Sequence, residues 1–241
     1  MNGDDTTGKY QNVASGNFIG GNPYKTIAGA LADIPTIMTD SATIHLAPGV
    51  YEEDVVAIWG HSTVSNNCYI RIVSREIELA WQSGIPIQSW RPSGGAASSV
   101  LVNAIHSYGG VIQIMGLYFT ITNKTIIRND VYGVGPTTIE VRNCVMTSAP
   151  PSGIPHKTQS LLGANGAKFL AIDNTVSYRE AGVYMFGASI AYANSNKFGN
   201  NLPGVQGYGL VAADGGIVSD IYNQATGTML LKTAFTGGLL A

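Results

Sequence analysis

The chain has 241 residues, a length at which a single all-β domain can bury a substantial core. Charged residues make up 12% of it, and 13 basic against 15 acidic residues give a net charge of -2, which argues against nucleic-acid binding and against a highly charged disordered chain. The 30 glycines and 45% hydrophobic residues favour many short strands joined by tight turns.

The sequence pattern predicts a polar N-terminal arm followed by one domain. Residues 1–22 are assigned to the arm and residues 23–241 to the domain, with no window of about 18 apolar residues that would insert into a membrane. The segment PYKTIAGALADIP predicts a short helix near residues 24–34 that covers one end of a sheet. Its apolar face comprises Ile27, Ala30, Leu31 and Ile34.

A repeated strand pattern follows this helix. In it, apolar residues alternate with other residues and the segment ends in Asn or Gly, which tolerate a left-handed backbone. The clearest copies are IQIMG (112–116), IEVRN (139–143), LAIDN (170–174) and IAYAN (190–194). Weaker copies are IHLAP (44–48), IRIVS (70–74), LVAAD (210–214) and MLLKT (229–233). Most intervals are roughly 20 to 30 residues, the length of one coil of a β-solenoid.

A β-sandwich built from hairpins is the main structural alternative, but it does not explain why the same strand returns in the same sense. Stacked parallel coils would place Ile139, Val141, Leu170 and Ile172 in inward-facing apolar columns. The Asn residues of the turns would form a ladder of amides, and the candidates are Asn143, Asn174 and Asn194. A further coil near SSVLVNA (98–104) is left open by the long interval between residues 70 and 112.

Two segments are longer than a turn requires. Residues 75–99 and 147–166 are rich in Pro, Gly and Ser, and insertions in a repeat array project from one face, which is often the binding face.

The entry to the repeats carries a family resemblance. YKTIAGALADIP and then IHLAPGVYEEDVVAI, with Gly49, Tyr51, Glu53 and Val55 in a G-x-Y-x-E-x-V motif, resemble the start of pectin-lyase-like proteins. The resemblance implies an all-β fold, a right-handed parallel β-helix with a short N-terminal capping helix. At this position we expect the Glu53 carboxylate to accept backbone hydrogen bonds or to favour a helix N-terminus, rather than to act in catalysis.

The closing region, NSNKFGNNLPGVQGYGLVAADGGIVSD followed by GTMLLKTAFTGGLLA, resembles the glycine-punctuated coils of bacteriophage tail-fibre and tailspike proteins. This resemblance implies a structural or adhesive virion component for host attachment, located in the phage particle or otherwise extracellular. Its expected partners are other virion proteins, a host-surface polysaccharide and further copies of the chain in a trimer.

The alternative is a polysaccharide-degrading enzyme, a depolymerase, lyase or hydrolase of the same fold. Hydrolysis of a glycosidic bond needs two carboxyl groups about 5 to 9 Å apart. Weak candidates are Glu140 and Asp173, with Asp214 and Asp220 as further acidic residues. The aspartate motifs of pectin esterases are absent, so the sequence favours a protein that is not an enzyme.

Carbohydrate binding is the second functional hypothesis, because sugars stack on flat aromatic rings with polar edges. Its candidates are Trp81, Trp90 and Arg91 in the first insertion, with Tyr178 and Tyr184 after the strand at residue 170. The opposing interpretation is that the two tryptophans only pack the insertion onto the coil. Cys68 and Cys144 are interpreted as small buried hydrophobes, and no metal or cofactor is expected.

Overall fold

The computed structural model describes residues 23–59, 62–63, 68–96, 98–120, 129–147, 158–200 and 206–241. Within these ranges the chain forms a right-handed parallel β-helix, which confirms the predicted fold class. Each turn of this helix, which we call a coil, contributes one strand to each of three parallel sheets. Alternating residues of the strands point inward and form one continuous apolar core.

The strands of the three sheets are given in chain order. The first sheet comprises Ala42–Leu46, Ile70–Ser74, Gly110–Met115, Thr137–Arg142, Lys168–Ile172, Ile190–Asn194, Ile217–Ile221 and Leu239–Leu240. The second sheet comprises Gly49–Val50, Val100–Val102, Tyr118–Phe119, Val145–Met146, Thr175–Val176, Lys197–Phe198 and Gln224–Ala225. The third sheet comprises Val56–Ile58, Ile105–Ser107, Asn129–Val134, Gln159–Ala164, Ala181–Met185, Tyr208–Ala213 and Leu230–Phe235. We number the coils 1 to 7 in the order of the first seven strands of the first sheet.

Two helices, a 3-10 turn and a pair of short strands lie beside the coils in the described residues. Helix α1 spans Ile27–Ala32, helix α2 spans Arg75–Gln82, and a 3-10 turn spans Ile87–Ser89. A short parallel pair joins Ile37–Met38 to Ser62–Thr63. No helix in the described part of the chain has the length and apolar character needed to cross a membrane.

Helix α1 covers the core at the first coil, as predicted. The four apolar residues of its predicted face are all buried. The backbone N–H groups of Ile27 and Ala28 donate to Glu53 Oε2 and Oε1 at 2.9 and 2.7 Å. These first-turn donors have no acceptor within the helix, so a carboxylate satisfies them and complements the helix dipole. The expectation that Glu53 binds a helix N-terminus is confirmed.

The register of the coils differs by one residue from the predicted columns. Ile139 of coil 4 aligns with Phe169 of coil 5, and Val141 aligns with Ala171. Phe169 and Ala171 are therefore buried, whereas Leu170 and Ile172 face outward and are only partly buried. Assigning Leu170 and Ile172 to the core was wrong, because a slip of one residue moves every side chain of a strand to the opposite face.

The amide ladder exists, but its members are Asn174, Asn196 and Asn223. The backbone N and the Nδ2 of Asn174 donate to Asn196 Oδ1 at 3.0 and 2.9 Å. Asn196 donates in the same way to Asn223 Oδ1 at 2.9 and 2.8 Å. At its start, the Cys144 backbone N donates to Asn174 Oδ1 at 3.0 Å. Each ladder Nδ2 also donates to a strand carbonyl, that of Val141, Ala171 or Ala193 respectively.

Two of the predicted ladder residues lie elsewhere. Asn143 occupies the preceding corner position with φ of 55°, which Asp173, Ser195 and Tyr222 occupy in later coils. Asn194 is the last residue of its first-sheet strand and is only partly buried. Matching the segments by their final Asn therefore aligned a corner residue of one coil with a ladder residue of the next.

The other differences concern element assignment. LVAAD and MLLKT, predicted as further copies of the first strand, belong to the third sheet. The segment SSVLVNA supplies a second-sheet strand of coil 2 rather than an extra coil. Helix α2 inside the first insertion was not predicted, although Ser74 caps it and Glu76 follows in its first turn. Of the second predicted insertion, residues 147–166, residues 148–157 lie outside the described residues, and Gln159–Ala164 forms a third-sheet strand.

Candidate functional site

The outward side of the third sheet carries an aromatic surface that extends from coil 1 to coil 5. We call it the aromatic face and define it by Trp59, His106, Tyr108, Tyr132, Tyr184 and Phe186. The strand pairing aligns His106 with Tyr132, and residues 162 and 184 continue the same column. Trp59 and Tyr108 directly follow the aligned residues Ile58 and Ser107.

Close ring contacts hold the aromatic face together. Trp59 stacks on Tyr108, with ring centroids 4.1 Å apart and planes 10° from parallel. Tyr132 meets Tyr108 and His106 edge-on at 6.4 and 5.4 Å. Tyr184 and Phe186 form a second edge-on pair at 6.0 Å. The Trp59 side chain is 67% exposed, so the ring side that does not contact Tyr108 offers a flat apolar surface to solvent.

The aromatic face carries no Lys, Arg, Asp or Glu. The described strands of the third sheet contain two charged residues, Asp130 and Lys232, and both are in ion pairs. Burial, with a further contribution from neighbouring Tyr108, raises the pKa of Tyr132. The Tyr132 hydroxyl therefore acts as a neutral group that donates or accepts hydrogen bonds.

Asp130 does not contribute to this surface, because Arg179 covers it. The guanidinium donates from Nε to Asp130 Oδ2 at 3.0 Å and from Nη2 to Oδ1 at 3.2 Å, and both side chains are almost completely buried. Arg179 Nη1 also donates to the carbonyls of Ser177 and Tyr178. Arg179 lies in the loop that follows the second-sheet strand of coil 5, and Asp130 lies in the third-sheet strand of coil 3. The pair therefore joins this loop to the third sheet, and its role is structural.

The sequence contains a signal for the aromatic face that was missed. The third-sheet segments VAIW (56–59), IHSY (105–108), VYGV (131–134) and VYMF (183–186) align residue by residue in the structure. Their second and fourth residues point outward and are often aromatic. Of the aromatic face, only Tyr184 was among the predicted binding residues.

The structure places the predicted glycan-binding residues in separate regions. Trp90 packs at the corner of coil 3, where a Cβ on Gly116 would lie 2.9 Å from its ring. Trp81 is 65% exposed at the end of α2 and borders an open depression of about 330 Å³ lined by residues 84–88. Tyr178 lies at the corner before the third sheet with φ of 57°. Only Tyr184 of the five lies on the aromatic face.

Arg91 fastens the insertion to the coils. Its Nη1 donates to the carbonyls of Gln88 and Trp90, and its Nη2 lies 4.0 Å from Asp173 Oδ1. Burial lowers the pKa of Arg91, and the nearby Asp173 carboxylate partly opposes that shift. Asn143 Nδ2 adds a hydrogen bond to the Ile87 carbonyl at 2.6 Å. These contacts explain the position of Arg91 without a ligand.

The two weak catalytic candidates are engaged in different local contacts. Glu140 accepts hydrogen bonds from Gln113 Nε2 at 3.2 Å and from Arg142 Nε at 3.0 Å on the outer side of the first sheet. Asp173 lies three residues further along and one coil away, so their Cα atoms are about 11 Å apart. Asp173 faces the insertion at the corner. The arrangement does not point the two carboxyl groups at one bond.

The other acidic candidates and the two cysteines take part in local structure. Asp220 Oδ2 lies 3.3 Å from Lys232 Nζ in coil 7, and Asp214 occupies a turn with φ of 47°. Cys68 and Cys144 are buried free thiols, as predicted, and burial raises the pKa of Cys144 to about 12. Across the described ranges no group of three or more His, Cys, Asp and Glu side chains is arranged to hold a metal ion.

Comparisons of the chain with models of protein families, with curated proteins and with solved structures find no match.

Proposed function

We propose that the protein is a structural and adhesive module, a rigid β-helix that presents the aromatic face to a glycan. The single observation that carries this proposal is the exposed Trp59 ring stacked on Tyr108 and continued by Tyr132 toward coil 5. Sugar rings have apolar C–H faces and polar edges, so they suit flat aromatic rings flanked by hydroxyl groups.

We further propose that this module belongs to a virion component, such as a tail fibre, tailspike or decoration protein, with a trimer as its expected assembly. The support is the resemblance of the closing coils to such proteins, together with a stiff scaffold whose parallel strands are hydrogen-bonded from coil to coil. Immunogold labelling of purified particles tests the location: label on the tail supports the proposal, and particles without label contradict it.

The enzymatic alternative has weaker support. Glu140 is held by Arg142 and Gln113, and Asp173 is directed to Arg91, so neither carboxylate is paired with the other across a cleft. Incubation with capsular or pectic polysaccharides would reveal an enzyme through new reducing ends or unsaturated products. Turnover that disappears in both Glu140→Gln and Asp173→Asn would overturn the non-catalytic proposal.

Glycan retention by designed variants tests the adhesive role. We expect Trp59→Ala and Tyr108→Ala to weaken binding by about tenfold, because each removes a ring from the stack and roughly 1.4 kcal/mol corresponds to a tenfold change. Trp81→Ala is the matched control, since Trp81 is equally exposed but lies on the insertion. Circular dichroism confirms that each variant is folded.

The control also separates two binding sites. Loss of retention in Trp81→Ala with full retention in Trp59→Ala would place the site on the insertion and would refute the aromatic face as the binding surface. Failure of the unmodified protein to retain any glycan would refute the adhesive function itself.

A further inference from the structure

We propose that the ligand of the aromatic face is an electrically neutral glycan chain that lies along the axis of the β-helix. This inference rests on the proposed function and specifies its ligand class and orientation.

The charge of the ligand follows from the described side chains of the third sheet. An acidic glycan would lose part of its hydration against this surface and would need Arg or Lys to compensate. The aromatic face has neither. On the third sheet, Asp130 is buried under Arg179, and Lys232 lies in coil 7, bound to Asp220. Uncharged sugar rings have no such requirement.

The orientation follows from how the rings are distributed. They come from coils 1, 2, 3 and 5, so they recur from strand to strand across the sheet. Strands are about 4.8 Å apart, which places Tyr184 about 19 Å from the level of Trp59 along the axis. Along any single strand the outward rings span only two residues, or about 7 Å. The rings form two clusters, one of Trp59, Tyr108 and Tyr132 and one of Tyr184 and Phe186. A chain of several sugars contacts both clusters only if it crosses the strands.

The space between the two clusters is also apolar. Leu162 of coil 4 continues the column from Tyr132 to Tyr184 and is partly buried, and no charged side chain interrupts the column in these described strands. In the described strands, uncharged side chains therefore connect Trp59 with Phe186.

Calorimetric titration with two ladders of oligosaccharides tests both parts. One ladder is an uncharged glucan of increasing length, and the other is a uronate oligomer of the same lengths. We expect the affinity for the neutral ladder to rise with length until the chain reaches both clusters, and the acidic ladder to bind at least tenfold more weakly.

Variants at the two ends test the orientation. Trp59→Ala and Tyr184→Ala should each reduce the affinity for the longest neutral oligomer by about tenfold. Tyr192→Ala is the control for Tyr184, since it removes an exposed tyrosine from the outer side of the first sheet and should leave the affinity unchanged.

The outcomes distinguish this inference from the proposed function. Tighter binding of the acidic ladder refutes neutrality while leaving the adhesive function intact. The axial orientation is refuted if only one of the two end variants lowers the affinity and if longer neutral oligomers bind no more tightly than short ones. Absence of binding to both ladders and to other glycans refutes the proposed function as well. Dissociation of an oligomer by Trp59→Ala, seen by sedimentation without glycan binding, would show instead that this surface joins copies of the chain.

Discussion

Replacing Asn196 by Ala removes the central member of the amide ladder. The Asn196 side chain takes part in four hydrogen bonds: its Oδ1 accepts two from Asn174, and its Nδ2 donates to Asn223 Oδ1 and to the Ala171 carbonyl. All three ladder residues lie in the interior of the coil stack, and Asn174 and Asn196 are almost fully buried. Water therefore cannot replace the missing partners without opening the coils.

The expected cost follows from these contacts. A typical buried hydrogen bond contributes about 1 kcal/mol net, and a buried donor left without an acceptor costs about 1–3 kcal/mol. The Asn174 backbone N–H is such a donor in the variant, since its acceptor is Asn196 Oδ1. We expect the free energy of unfolding to fall by about 3–4 kcal/mol. At this chain length, that corresponds to a fall in melting temperature of about 6–16 °C.

Thermal unfolding followed by far-UV circular dichroism and by calorimetry provides the measurement. Coil stacks can unfold in more than one step, so the calorimetric and van't Hoff enthalpies should be compared before a free energy is quoted. The matched control is Asn194→Ala, two residues earlier and partly exposed. Asn194 Oδ1 accepts a hydrogen bond from Ser195 Oγ at 2.9 Å, and we expect the free energy of unfolding to change by less than about 1 kcal/mol.

Two results would refute this reasoning. If Asn196→Ala and Asn194→Ala melted within about 2 °C of each other, the ladder would not be an important source of stability. If Asn194→Ala were the more destabilising variant, the coil register described here would be incorrect.

Two further variants test other parts of the scaffold. Glu53→Gln should lower the free energy of unfolding by about 1–2 kcal/mol, because it weakens two charge-assisted hydrogen bonds to the N-terminus of α1. Glu52→Gln is the control, because Glu52 is exposed. Equal effects of the two variants in urea unfolding would contradict the capping role of Glu53. Arg179→Met should cost about 3–5 kcal/mol, because it leaves the Asp130 carboxylate buried without its partner. Thermal melting should show partial recovery in the double variant with Asp130→Asn, and no recovery would argue against an unpaired charge as the cause.

The sequence predicts the fold well because both of its strongest signals are local. The alternation of strands and the capping segment at α1 each depend on neighbouring residues, and Glu53 binds the helix as its motif suggests. The register of the coils is harder to predict from sequence, because it depends on which residue of each coil takes the left-handed corner position. Coil 4 places Asn143 there, whereas coil 5 places Asp173 there and puts Asn174 in the ladder.

The binding surface was less predictable than the fold for a related reason. Trp59, Tyr108 and Tyr132 are 24 to 73 residues apart in sequence, and only the stacking of the third sheet brings their rings together. Trp81 and Trp90 were predicted to bind glycan because they are aromatic and lie close together in one insertion. In the structure one of them packs on a coil corner and the other stands apart from the aromatic face.

The first insertion, which lies within coil 2, also affects how the molecule responds to mechanical load. In a simple solenoid each repeat contacts only its immediate neighbours, so a pulled end can detach one repeat at a time. Here the segment near Trp90 contacts Gly116 in coil 3, Asn143 in coil 4 and Asp173 in coil 5. It thus acts as a brace across three successive repeats, which must yield together rather than one by one. Of the four ring-bearing coils, coil 2 carries this brace, and coils 3 and 5 are among the three that it contacts.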